Sequence, residues 1–206
     1  MRLLELFSGT GSVRKAVGEQ FEDVVSLDIL AKFQPTECCN ILTWDYTKYP
    51  PGYFTHIWAS PPCTEYSRLK HNTGMPTNVL EADRIVQRTL EIIDYYEPEK
   101  WFLENPQTGL LKSRDFMQGI PYYDVDYCAY SDWGYKKPTR IWTNVRFTPK
   151  RCAGVHRCPN MTGNYHRVSF GGQGRDKPHV YEKVSAGTTA YRIPEQLIRE
   201  LFASPV

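Results

Sequence analysis

Three short stretches of this chain combine residue types that can carry covalent chemistry. The first is Ser60-Pro61-Pro62-Cys63-Thr64-Glu65-Tyr66-Ser67, where two prolines stiffen the approach to a cysteine. A cysteine held in this way is a strong nucleophile once its pKa falls below the free value of about 8.5; an isolated one is more often a buried structural thiol. The second is Phe102-Leu103-Glu104-Asn105-Pro106. A carboxylate at such a strand end points into the same crevice as Cys63, or serves as a helix cap or surface charge. The third, Phe7-Ser8-Gly9-Thr10-Gly11-Ser12, is a glycine turn between a strand and a helix, which brings a ligand against backbone amides at the helix start. Asp28 lies 17 residues past Gly11, at the end of a second apolar run, where an acid can bind ribose hydroxyls. Position 14 is Arg14, not the third glycine of the dinucleotide pattern, which argues for a nucleoside cofactor without a pyrophosphate.

The elements that must position these groups follow from periodicity. Strand-like and helix-like stretches alternate over the first 110 residues, the signature of an α/β sheet. Strands are predicted at Leu3 to Phe7, Val24 to Leu27, around Ile41 and Leu42, His56 to Ala59, Trp101 to Leu103 and Val125 to Tyr130. Helices are predicted from Val13 to Gln20, over 78–96 with Asn78 as cap, from Leu110 to Met117, and after Pro194. The chemical stretches then fall at the C-terminal ends of strands, where open α/β sheets place their sites.

Taken together, the motifs resemble the cytosine-C5 methyltransferase family. That family opens with a Phe-x-Gly-x-Gly turn, carries a Pro-Cys nucleophile loop ending in a Phe/Tyr-Ser pair, and follows with Glu-Asn. Here these are Phe7 to Gly11, Pro62-Cys63 with Tyr66-Ser67, and Glu104-Asn105, in the same order. The resemblance covers residues 1–145 and resumes over Ala190 to Leu201. It implies a Rossmann-like, S-adenosylmethionine-dependent methyltransferase fold, α/β, with a mostly parallel sheet flanked by helices. It also implies S-adenosylmethionine as cofactor, held by Phe7, Ser8, Gly9, Thr10 and Gly11 of the turn, by Asp28 and Ile29, by Asp45 near the adenine, and by Pro61. Cys63 would attack C6 of cytosine, and Glu104 would meet N3 and the exocyclic amine. Arg140 would assist them, while Ser67, Asn105, Lys137 and Arg140 would contact substrate. The partner implied is DNA.

Two departures from the family stand out. Pro106 replaces the usual Val after Glu-Asn, and the bracing Gln-x-Arg-x-Arg stretch is matched only by Trp133 to Trp142, where Lys137 and Arg140 are the remaining cations. The target-recognition domain is reduced to a loop-rich insertion at 145–189 within a single domain, 1–206. The balance of charge is −6 over residues 1–130 and +8 over 131–183, and the basic part is interleaved with aromatics, which suits a nucleic acid or an ordinary solvated loop. Cys152, His156 and Cys158 could supply three zinc ligands, with His166 and His179 nearby. Their spacing matches no standard finger, so the segment reads as a substrate loop and no metal ligand is assigned. Gly171-Gly172-x-Gly174-Arg175 reads as a phosphate-facing loop.

No stretch approaches the roughly 18 to 20 apolar residues of a membrane span, and six scattered cysteines fit a reducing, intracellular setting. For a member of the family that it resembles, the chain is small, a size that suits a phage or mobile element in a prokaryotic host. A monomer is expected, with room for a helper protein that supplies sequence recognition. Two other functions stay open: the same chemistry on RNA or a free cytosine nucleotide, and a catalytically silent nucleic-acid-binding protein.

Overall fold

Leu3 and Leu4 open the first strand with side chains on opposite faces, and both are fully buried, so helices must cover the sheet on two sides. In the computed structural model, which describes residues 1–170, 182–184 and 191–206, they do. β1 (Arg2–Leu6) leads through the glycine turn into α1 (Ser12–Val17), followed by β2 (Asp23–Asp28), β3 (Glu37–Cys38) and β4 (His56–Ala59). The nucleophile loop carries a short helix α2 (Arg68–Asn72), and the long α3 (Val79–Tyr96) returns to β5 (Lys100–Pro106). β6 (Tyr122–Asp126) and β7 (Pro138–Thr143) complete the sheet. Four short strands follow, β8 (Met161–Thr162), β9 (Tyr165–His166), β10 (Val168–Phe170) and β11 (Glu182–Val184), and α4 (Glu195–Ala203) closes the chain.

The seven strands lie in the order β3-β2-β1-β4-β5-β7-β6, parallel except for β7, which runs antiparallel to both its neighbours. The order reverses between β1 and β4, the switch point at which doubly wound sheets open a crevice. Alternation assigns the layers. Leu3, Trp58, Phe102 and Ile141 pack beneath α1 and α4, against Val13, Val17, Leu197 and Leu201. Leu4, Leu6, Ile57 and Ala59 pack on the opposite face against Ile92, Ile93 and Tyr96 of α3.

Sequence periodicity places most elements, with informative exceptions. Asn78 Oδ1 accepts the Glu81 N–H at 3.2 Å, the cap expected of α3. The strand expected at Ile41 and Leu42 is instead two residues at Glu37–Cys38; Ile41 and Trp44 are core residues of a turn. The helix expected over Leu110 to Met117 is two 3-10 turns, Leu111–Ser113 and Asp115–Met117. The strand expected at Val125 to Tyr130 begins earlier, at Tyr122, and gives way to a 3-10 turn at Tyr127. β7, read only as a bracing stretch, is a buried strand paired on both edges. Gly171 to Arg175 and His179 lie outside the described residues. No helix among the described residues is long and apolar enough to cross a membrane.

Candidate active site

β1 ends in a forced change of direction. Phe7 takes φ 57°, a left-handed value that costs a bulky side chain energy, and Gly9 and Gly11 follow at φ 47° and 68°. A Cβ at either glycine would meet no heavy atom closer than 3.8 Å, so backbone conformation and not space requires glycine there. The turn is pinned to β2: Ser8 N–H donates to Leu27 O at 3.0 Å, and Gly9 N–H donates to Asp28 Oδ2 at 2.8 Å. Asp28 Oδ1 accepts the Leu30 N–H at 2.8 Å. Around the turn lies a cavity of about 280 Å³, lined by Glu5, Ser8 to Gly11, Arg14, Lys15, Ser26, Lys32 and Phe33.

One wall of that cavity corrects the expectation for the helix start. Glu5 faces the α1 side of the sheet, and its carboxylate accepts the Val13 and Arg14 N–H groups, both at 3.2 Å. The chain itself therefore occupies these first-turn donors of α1. Burial pushes the Glu5 carboxyl up to about 7, against the pull of those two amides and of Arg14 and Lys15. The other cofactor candidates divide. Ile29 is exposed beside Asp28. Asp45 is exposed and accepts from Thr47 N–H at 3.1 Å as the cap of the next 3-10 turn, outside the cavity lining.

Cys63 follows buried Pro61 at the C-terminal end of β4, half-buried at the start of a 3-10 turn, Thr64–Tyr66. The loop is held from three directions. Asn105, fully buried, donates from Nδ2 to Pro61 O at 2.9 Å. Tyr66 Oη donates to Asp83 Oδ1 at 3.0 Å, and Arg114 Nε donates to the same oxygen at 3.0 Å. Leu110 N–H donates to Tyr66 O at 2.9 Å, so the loop after β5 seals this one. Ser67 ends the turn, half-buried. The Cys63 thiol is not activated at rest: burial first, then the Glu104 charge, raise its pKa, while Lys137 lowers it.

Glu104 is buried at the end of β5, accepts the Tyr127 hydroxyl at 3.0 Å and lies 3.7 Å from Lys137 Nζ. Tyr127 carried no sequence signal. Its phenol, wholly buried against that carboxylate, is pushed well above the ordinary tyrosine range, so it stays a donor. Arg140 goes elsewhere. It pairs in register with Asn105 and Asp124, so the pleat sends its side chain to the face opposite Glu104. Its guanidinium grips Asp124 through two bonds, 2.7 and 2.9 Å, over the Tyr122 ring. Among the described residues, no contact links it to Cys63 or Glu104. Lys137 is the cation that the structure sets on the carboxylate.

Much of the basic character of 131–170 is neutralised locally. Lys136 and Arg151 pair with Asp126, Lys137 with Glu104, Arg140 with Asp124 and Lys150 with Glu200. A second side-chain cluster gathers Cys128, Cys152, Cys158 and His166, none of which is among the crevice residues.

A glycine turn after β1, an acid closing β2, and a thiol and a carboxylate ending β4 and β5 place the candidate site on a Rossmann-like α/β fold, at the strand ends where that class of protein works. The chain is 39% identical over 222 residues to the "Probable DNA (cytosine-5)-methyltransferase" of Frog virus 3 (isolate Goorha), covering 98% of both proteins. It belongs to the DNA (cytosine-5)-methyltransferase family. Among solved structures it is similar to a methyltransferase of Entamoeba histolytica, with 17% identity, TM-score 0.49, and coverage of 73% of this chain and 56% of that one. It is also similar to a mutant DNMT2 of Spodoptera frugiperda, with 15% identity, TM-score 0.47, and coverage of 82% and 66%. The chain thus spans between half and two thirds of the length of these two structures. No family model matches it.

Proposed function

We propose that this protein transfers a methyl group from S-adenosylmethionine to C5 of cytosine in DNA, through a covalent bond between Cys63 Sγ and C6 of the base. The observation that carries the reading is the shared crevice of Cys63 and Glu104, at the ends of adjacent parallel strands, with Glu104 and Lys137 both acting on the thiol.

The cavity beside the glycine turn fits the cofactor's chemistry. Asp28 is bound by one N–H on each oxygen, which leaves lone pairs for ribose hydroxyls, and Lys15, Lys32 and Arg14 suit a carboxylate tail. Exposed Ile29 offers an apolar surface for a base. When bound, S-adenosylmethionine supplies an electrophilic methyl on a sulfonium. The protein supplies the rest. Cys63 must lose its proton to attack C6, which opens the C5=C6 bond and places electron density on C5; once C5 carries the methyl group, loss of the C5 proton to a base restores that double bond and expels the Cys63 thiolate. Glu104, kept in place by Tyr127 and Lys137, hydrogen-bonds the N3 and amine edge and stabilises the charge developing there. Asn105, through Pro61, fixes the loop and with it the line of approach of the sulfur. A target in duplex DNA must leave the stack to reach Cys63.

The test is transfer of a labelled methyl to duplex DNA, single-stranded DNA, tRNA and dCMP in parallel, with Cys63→Ala as control. Label in DNA cytosine that the variant abolishes is the expected result. Label confined to tRNA or dCMP would keep the chemistry and overturn the substrate. Label unaffected by the variant would overturn the nucleophile.

A further inference from the structure

We propose that Cys128, Cys152, Cys158 and His166 bind one zinc ion that staples the 145–170 segment to the end of β6. None of these four side chains belongs to the methyl-transfer crevice, so the proposal does not depend on that reading. The four ligand atoms lie within 4.8 Å of one another, and all three cysteines are free thiols. His166 Nε2 is 3.6 Å from both Cys152 Sγ and Cys158 Sγ. Tetrahedral zinc, with bonds of about 2.3 Å to sulfur and 2.0–2.1 Å to nitrogen, requires an S···N edge of about 3.6 Å, so two edges of the tetrahedron are already at length. Three thiols and an imidazole, with no carboxylate in the set, select zinc over calcium or magnesium.

The surroundings hold the ligands independently. Cys152 N–H donates to Asp126 Oδ2 at 2.9 Å, which fixes that loop to the end of β6. Cys158 N–H donates to Gly154 O at 3.0 Å, and Met161 N–H to Cys158 O at 3.1 Å, a tight turn around the thiol. Asn160, buried, donates to Cys128 O at 2.9 Å and to Ser131 O at 2.7 Å, and accepts the Gly134 N–H at 3.0 Å. The stretch between Thr143 and Val168 has only two strands, of two residues each, and leaves Val155 and Tyr165 exposed. Its buried apolar side chains are Val145 and Cys158 alone, and a metal staple supplies what a larger core would. Spacing along the chain brings forward Cys152, His156 and Cys158, a set without a standard finger pattern. The fourth ligand, Cys128, lies 24 residues upstream, and His166 rather than His156 faces the sulfurs.

The test is metal content of the full chain, purified under reducing conditions from zinc-supplied cells, with spectra after cobalt exchange. About one zinc per chain is expected, together with the visible bands of a tetrahedral, thiolate-rich cobalt site. Cys128→Ser and Cys158→Ser should lose the metal, while His166→Cys, which keeps four ligands, and Cys63→Ser, outside the cluster, should retain it. A wild-type chain without zinc and without tetrahedral cobalt bands would overturn the proposal. So would zinc that survives both serine variants or is lost with Cys63→Ser.

Discussion

Glu5→Gln offers a quantitative test of how the glycine-turn cavity is built. Burial raises the carboxyl from 4.5 to about 7 despite two amide donors and two nearby cations. At 1.36 kcal/mol per pH unit, ionising Glu5 in the folded protein costs about 3 kcal/mol more than in the unfolded chain. The folded state binds the extra proton between those two values. Its contribution to stability is therefore fully present below about pH 4.5 and is lost as pH rises through about 7. Glutamine keeps the volume and an acceptor but cannot ionise. Losing one of two accepted bonds adds a pH-independent offset of about 1 kcal/mol, which changes the intercept and not the slope. The stability of the wild type relative to Glu5→Gln should thus fall by about 3 kcal/mol between pH 4.5 and 8, roughly 6–12 °C in Tm for a domain of this size. Urea unfolding of both proteins, followed by tryptophan fluorescence at four pH values, measures it. A difference that stays flat with pH, or that rises, would refute the reasoning.

Two further outcomes follow from the crevice. Alkylation of Cys63 by iodoacetamide, read by peptide mass spectrometry, should have its pH midpoint above the ordinary thiol range; Lys137→Met should raise it further and Glu104→Gln lower it, and a shift of either in the opposite direction would sink the electrostatic account. Tyr127→Phe leaves buried Glu104 without its hydroxyl donor, so stability should fall by about 1–3 kcal/mol and kcat on the order of tenfold, with the KM for S-adenosylmethionine unchanged. An unchanged kcat in steady-state assays would remove Tyr127 from the positioning of Glu104.

What could be read along the chain was what neighbours dictate. The Gly9 and Gly11 turn, the Pro61-Pro62-Cys63 loop, the Asn78 cap and the apolar face of α4 are local features, and the structure puts each where its local chemistry requires. The partnerships that complete the site are not local. Glu5 gives no signal within its apolar strand, because its partners at Val13 and Arg14 reach it only after the chain turns back. Tyr127 meets Glu104 across 23 positions and a reversed strand. The family resemblance places Arg140 at the crevice, whereas the register of β7 against β5 and β6 turns its side chain to the other face. The resemblance sets Asp45 near the adenine; what its position in the chain dictates locally is the cap, with Thr47 N–H donating to its carboxylate.

The reversed strand also lets one short segment deliver two partners to the carboxylate. Tyr127 N–H donates to Lys137 O at 3.3 Å, and both side chains close on Glu104, so the loop between them is pinched shut at its base. The loop above that base is tied down as well: Gly134 N–H donates to Asn160 Oδ1 at 3.0 Å and Val168 N–H donates to Gly134 O at 2.9 Å. The entropy of closing it is spent once, on folding, so the two partners of the carboxylate stand in order before any ligand arrives.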